Sequence, residues 1–211
     1  MAVQERTGEL RIVDEAVNRH FPIMPLRISF NLGDEDLRHF EAVAQRTQAS
    51  AREQSAEAIV AAAREVLESA ERAQLAEFVK ARFARLRAIL EMALDTDWPL
   101  GAEDSQRTIN ALACFSRAPG AAVAVGFLDH AIMIELVSRD LEHDLEAYRD
   151  FCISRESQLQ RRRPGADQDA QREQWLQQRR EVLQQRMHAR RKRTLDQSGS
   201  SVRRLFSLFG L

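Results

Sequence analysis

This sequence predicts an all-α fold, on three observations. Helix formers dominate a composition that holds only 8 Gly, 5 Pro and 1 Tyr in 211 residues. Leu75, Phe78, Val79, Phe83, Leu86, Ile89, Leu90 and Ala93 recur at three- and four-residue steps, the period of one helix face. The run from Ile109 to Val137 has Arg117, Asp129, His130 and Glu135 as its only charged or imidazole side chains, in a chain that is 30% charged. That run reads as an apolar helix, a Pro-Gly break, a small-residue connector and a second apolar helix, a hairpin that the rest must cover. The expected architecture is therefore a bundle of about five to seven helices with the hairpin at its centre.

Taken in order, residues 1–24 form an N-terminal extension in which Leu10, Ile12, Val13 and Val17 suit a short helix ending near Pro22. In residues 25–32, Leu26, Ile28, Phe30 and Leu32 alternate with Arg27, Ser29 and Asn31, the period of a short strand. Gly33 to Asp36 supply a start and early acids for a helix with Leu37, Phe40, Val43 and Ala44 on one face. The pattern weakens between Thr47 and Ser55, which places a joint there, and Ile59, Ala62, Ala63, Val66 and Leu67 mark the next helix. Leu75 to Leu94 follows as the strongest amphipathic segment. Asp95 to Gly101 is a loop whose Trp98 is expected to close over the core. Glu103 to Phe115 and Asp129 to about Arg155 make the two arms of the hairpin, the second a single long helix.

From Gln158 the composition turns to Gln and Arg. Arg161 to Gly165 is a linker, and Asp167 to Arg193 reads as one helix whose apolar positions, Trp175, Leu176, Val182, Leu183 and Met187, are too sparse for a core element. Such a helix is expected to project from the body or to pair with an equivalent helix of a second copy. A flexible joint at 198–201 precedes Val202, Leu205, Phe206, Leu208 and Phe209, which share one broad face beside Arg203 and Arg204, a short cationic amphipath. The resulting division is an extension (1–24), a helical body (25–156), a basic helical tail (157–197) and a terminal segment (198–211).

The charge follows this division. The net charge of −1 conceals an acidic stretch from residue 1 to 154, with 17 Lys+Arg against 26 Asp+Glu, and a basic one from 155 to 211, with 14 against 6. The N-terminal residues MAVQERTGEL carry acids and no apolar core, unlike a secretory signal, so cytoplasmic residence is expected. Cys114 and Cys152 lack CxxC or Cys/His spacing and are expected to be reduced, buried thiols. No run reaches the roughly 18 uncharged residues of a membrane span.

Few residues point to chemistry. Asp129 and His130 open the second arm, where an Asp serves the unpaired amides of a first helical turn. Glu135, Asp140, Glu142, His143, Asp144 and Glu146 crowd the following turns, yet the Glu-x-x-His pattern of a helical metal site is absent. Glu135, Arg139 and His143 instead have the four-residue spacing of a solvated ion-pair stripe. HExxH, GxSxG, GxxxxGK and GxGxxG are all missing, so no cofactor or small-molecule ligand is implied. Arg179, Arg180, Arg186, Arg190, Arg191, Lys192 and Arg193 make the tail basic, which suits an anionic membrane surface or a partner protein. Nucleic acid fits less well, because aromatic interleaving is missing.

One resemblance is carried by the hairpin. Ala111-Leu112-Ala113-Cys114-Phe115 and Gly126-Phe127-Leu128-Asp129-His130-Ala131-Ile132-Met133-Ile134-Glu135-Leu136-Val137 resemble the YkvA-like family, a bacterial domain of unknown function. The likeness extends over most of residues 25–156. Family members carry an acidic, proline-containing turn and then Gly-(Phe/Tyr)-Leu-Asp-Asp. Here Ser116 to Ala122 replaces that turn and His130 the second Asp, leaving Gly126, Phe127, Leu128 and Asp129 as the retained motif. The resemblance implies no reaction, and its members are often thought to be membrane-associated.

The function expected from these features is that of a non-enzymatic interaction protein. It would act as a peripheral membrane or scaffolding factor at the inner face of the membrane, touching lipid or a partner through Arg203, Arg204, Leu205, Phe206, Leu208 and Phe209 and open to self-association. The alternatives are a nucleic-acid binder using the Arg-rich helix, or a divergent enzyme using Asp129 with His130 or His143.

Overall fold

The computed structural model describes residues 33–116, 123–160 and 166–197. The N-terminal extension, the strand-like 25–32, the turn at 117–122, the linker at 161–165 and the terminal amphipath lie outside the described residues. Within them there are seven helices and no strand: α1 Asp34–Ala51, α2 Ala56–Arg72, α3 Glu77–Leu94, α4 Ala102–Ala113, α5 Val123–Asp140, α6 Glu142–Gln160 and α7 Ala166–Gln197. All belong to one unit, Gly33–Leu211. None is long and apolar enough to cross a membrane.

Local chemistry sets the early boundaries. The Gly33 amide donates to Asp36 Oδ2 at 2.9 Å, so an acid in the first turn closes the start of α1. The Ser55 hydroxyl accepts from the Ala58 amide at 3.2 Å and starts α2, which makes 52–55 the joint anticipated from the polar interruption.

The centre of the bundle is α3, not the Ile109–Val137 hairpin. α3 packs on α2, α4, α5 and α6, because it buries Val79, Phe83, Leu86, Ile89 and Leu90 and also turns Met92 into a second cluster. Both arms of the apolar run are buried as expected, through Leu112, Phe115, Phe127, Ile134 and Val137 among others. They nevertheless lie each against α3, whose long side chains fill the space that their alanines leave.

A second correction concerns the long arm, which is two helices. α5 ends at Asp140 and α6 starts at Glu142, although Leu141 N–H still donates to Val137 O at 3.0 Å and Leu145 N–H to Leu141 O at 2.9 Å. The chain turns at Leu141 while these two bonds persist. Leu141 is fully buried there, and the acids on either side are tied to α4.

The third correction is the largest, since α7 does not project. It lies along α6, and Leu176, Leu183 and Met187 cover Met92, Trp98, Ala147, Tyr148 and Phe151. These three residues recur at seven- and four-residue spacing, one seam of a helix. Their burial contributes roughly 5–9 kcal/mol before ordering costs. Trp98 sits in the loop as a lid, 1% exposed and 5.0 Å from the Phe151 ring.

Both cysteines are free. Burial pushes the Cys114 thiol up to about 12, whereas Cys152 is half-buried, with Arg155 Nη2 3.8 Å from its sulfur. Alkylation by iodoacetamide at neutral pH is therefore expected to modify Cys152 and to spare Cys114 until the chain unfolds. Equal labelling of both in the native protein would contradict this placement.

Candidate functional site: a buried ionic clamp

Beneath α7, four helices bring charged side chains together. α4 contributes Asp104 and Arg107, one turn apart. Asp140 ends α5 and Asp144 stands in the first turn of α6, so the bend at Leu141 presents both to Arg107. Arg107 Nη2 donates to Asp140 Oδ2 at 2.9 Å and to the Asp140 carbonyl oxygen at 2.6 Å, and Nη1 to Asp144 Oδ2 at 3.2 Å. Its side chain is 1% exposed. A guanidinium so deep persists only because carboxylates and a backbone carbonyl replace its water.

α7 completes the cluster. Arg191 follows Met187 by four residues on the apolar seam, so the side chain that continues the seam enters the charged region. It donates from Nη1 to Asp104 Oδ1 at 2.8 Å and from Nη2 to Asp144 Oδ1 at 2.6 Å. One turn earlier, His188 Nε2 donates to Asp104 Oδ2 at 2.8 Å. At the helix end, His143 Nε2 and Thr194 Oγ1 are 2.8 Å apart, and Arg190 pairs with Glu146 at 2.8 Å.

The environment divides the acids. Burial alone would raise the Asp104 carboxyl, but hydrogen bonds and positive charge from His188 and Arg191 more than offset it and hold the group below its ordinary range. For Asp140 burial wins: together with the nearby Asp144 carboxylate it overcomes Arg107 and Arg191 and pushes the group up to about 6. Such a cluster can fix α7 on the body and respond to protons. Among the described residues no group of three or more His, Cys, Asp and Glu is arranged to hold a metal ion.

A separate open groove of about 550 Å³ lies between α2, α3 and α6, floored by Leu67, Leu90, Leu94, Tyr148 and Cys152. Several polar groups at its rim are paired. Arg155 bridges Asp95 and Asp97, Arg87 pairs with Glu71, and the Tyr148 hydroxyl donates to Asp95 at 2.9 Å.

The residues singled out from the sequence fall differently. Asp129 does not cap a helix: α5 begins at Val123, so Asp129 lies nearly two turns inside it and is exposed. The residues from Val123 to Leu128 before it are already helical. Gly126, Phe127 and Leu128 are likewise within α5, and Phe127 is buried with its ring 5.7 Å from Phe83. His130 lies near the Phe115 ring, at 6.0 Å, and His143 is several turns away on α6, roughly 20 Å along the axis from Asp129. Asp129 and His143 therefore do not converge. The stripe keeps its first pair, Arg139 to Glu135 at 3.5 Å, but Glu135 makes its shorter contact with Arg85 of α3, at 2.7 Å, and His143 lies beyond the bend.

The basic helix is largely committed internally. Arg179 donates to Ser154 Oγ and Arg180 to the Asp97 carbonyl oxygen, while Arg190 and Arg191 are tied as above. Arg186, Lys192 and Arg193 are exposed. Arg203, Arg204, Leu205, Phe206, Leu208 and Phe209 lie outside the described residues. What the sequence reading missed was the Asp104/Arg107 pair and the burial of Asp140, Asp144 and Arg191. The available signal was the seam Leu176, Leu183, Met187, Arg191, in which an arginine occupies the next core position.

These features define an all-α protein whose distinguishing site is a salt-bridge cluster under its last described helix. Comparison with family models, with curated proteins and with solved structures finds no match in any of the three.

Proposed function

We propose that this chain is a non-enzymatic interaction protein that attaches to an anionic membrane surface through residues 202–211. The observation that carries this reading is the anchorage of the final turns of α7 by Arg191 and the His143–Thr194 contact, directly before the cationic amphipath. An apolar face of Val202, Leu205, Phe206, Leu208 and Phe209 beside two arginines joins two weak membrane signals, which together give stable attachment where one does not. The resemblance of residues 126–137 to the YkvA-like family, whose members are often thought to be membrane-associated, supports the same reading.

Internal pairing argues against nucleic acid, because Arg179, Arg180, Arg190 and Arg191 already have partners within the molecule. Arg186, Lys192 and Arg193 are exposed, but Lys192 lies on a different face of the helix from Arg186 and Arg193. Co-sedimentation with vesicles containing anionic lipid tests the proposal. The full chain is expected to pellet, and a chain ending at Gln197 to remain mostly in the supernatant. Equal pelleting of the two would remove the terminal segment from the account.

A further inference from the structure

The carboxylate oxygens of the clamp are not equivalent. Asp104 receives a donor on each oxygen, from Arg191 and His188, and Asp144 faces Arg191 at Oδ1 and Arg107 at Oδ2. Asp140 Oδ2 accepts from Arg107, but Asp140 Oδ1 is buried without a hydrogen-bond partner. Counting charge leads to the same atom. Three carboxylates, Asp104, Asp140 and Asp144, oppose two guanidiniums, Arg107 and Arg191, an excess of one negative charge that the His188 imidazole on Asp104 offsets only when it is protonated.

An uncompensated charge in such a site is costly, and the oxygen that lacks donors loses least by taking a proton. Arg107 from α4 bonds Asp140, and Asp144 from α6 and Arg191 from α7 act on it through their charge; Asp104 is bonded to Arg191 and His188 to Asp104. His143, Glu146 and Arg190 border the same end of α7.

We propose that Asp140 Oδ1 is a proton-binding site that locks α7 onto the body: when protonated it balances the remaining carboxylates against the two guanidiniums and α7 stays docked, and when ionised it favours release. In this scheme departure of α7 takes Arg191 off Asp104 and Asp144, opens the cluster to water and so relieves the burial that opposes Asp140 ionisation. The proposal stands on the clamp alone and is independent of what the terminal segment binds. Because the docked carboxyl titrates near 6, above its ordinary value of 3.8, docking is tightest below that window and weakens as pH rises through about 6. Asp104, held low, keeps its ionic bonds throughout.

Hydrogen exchange of the full chain, expressed as protection relative to intrinsic rates, tests this. Between about pH 5 and about pH 7.5, protection of α7 is expected to fall by up to about tenfold while α3 stays constant. Asp140→Asn, neutral at every pH, is expected to abolish the dependence and leave α7 protected at the higher pH. His188→Gln is expected to retain it. A wild-type change under about twofold, an Asp140→Asn chain that keeps the dependence, or a His188→Gln chain that loses it would each overturn the assignment. Should the Asn variant fail to fold, carbon-13 titration of the wild-type Asp140 carboxyl decides: a midpoint near 6 supports the proposal, and one below about 4.5 overturns it.

Discussion

Replacing Arg107 with alanine is expected to lower the unfolding free energy by about 3–5 kcal/mol, the usual cost of removing one member of a buried ion pair. The loss comes from what the substitution leaves behind. Asp140 and Asp144 have side chains 3% and 1% exposed, and without Arg107 Asp140 loses its donor at Oδ2 and its carbonyl oxygen loses the bond that spans the bend. Because α4, α5 and α6 all meet there, urea denaturation should show one transition displaced as a whole. Arg107→Met combined with Asp140→Asn and Asp144→Asn should recover much of the stability, since the penalty attaches to orphaned charge more than to the absent attraction. A loss below about 1 kcal/mol for Arg107→Ala would mean that the cluster is hydrated and not buried.

Arg191→Ala is expected to act more locally. Asp104 Oδ1 would have no donor and Asp144 Oδ1 would retain only a weak contact with Arg107 at 3.4 Å, so the docking of α7 should weaken by about 3 kcal/mol, roughly a hundredfold in its opening equilibrium. Hydrogen exchange should accelerate by that factor across α7 while α3 and α4 keep their protection. The distinction is physical: α7 is held by three buried apolar side chains, the clamp and polar contacts such as Arg179 with Ser154 and Arg190 with Glu146, whereas α3 is enclosed by four other helices. Uniform acceleration through α3 would show that α7 is an integral part of one cooperative core. Retained protection in α7 would show that Leu176, Leu183 and Met187 hold the helix unaided.

Much of the helical plan was legible in the sequence. The period of Leu75 to Leu94 marked α3, the hydroxyl of Ser55 sits where the pattern weakened and starts α2, and Trp98 in its loop closes over Tyr148 and Phe151. These are local or nearest-neighbour effects, in which spacing alone says which face is apolar. The fate of α7 was not legible, because a helix with so few apolar residues is stable against a body only if its charged residues meet complementary ones. Arg191 and Asp144 are far apart in the chain. The cap assigned to Asp129 failed for a related reason: an acid before an apolar run resembles a helix start, and only the backbone shows that the preceding Val123 to Leu128 is already helical.

By itself, then, the sequence determined an all-α chain, the position of the central amphipathic helix, the burial of the 109–137 run and the division into acidic body and basic tail. Those properties follow from periodicity and composition, which act over a few residues. Tertiary structure alone decided that α3 is the hub, that the second arm bends at Leu141, that α7 lies down on α6 and that five charged side chains are withdrawn from water. A buried charge is tolerated only when partners from distant helices arrive at hydrogen-bonding distance, and that meeting is a property of the folded packing.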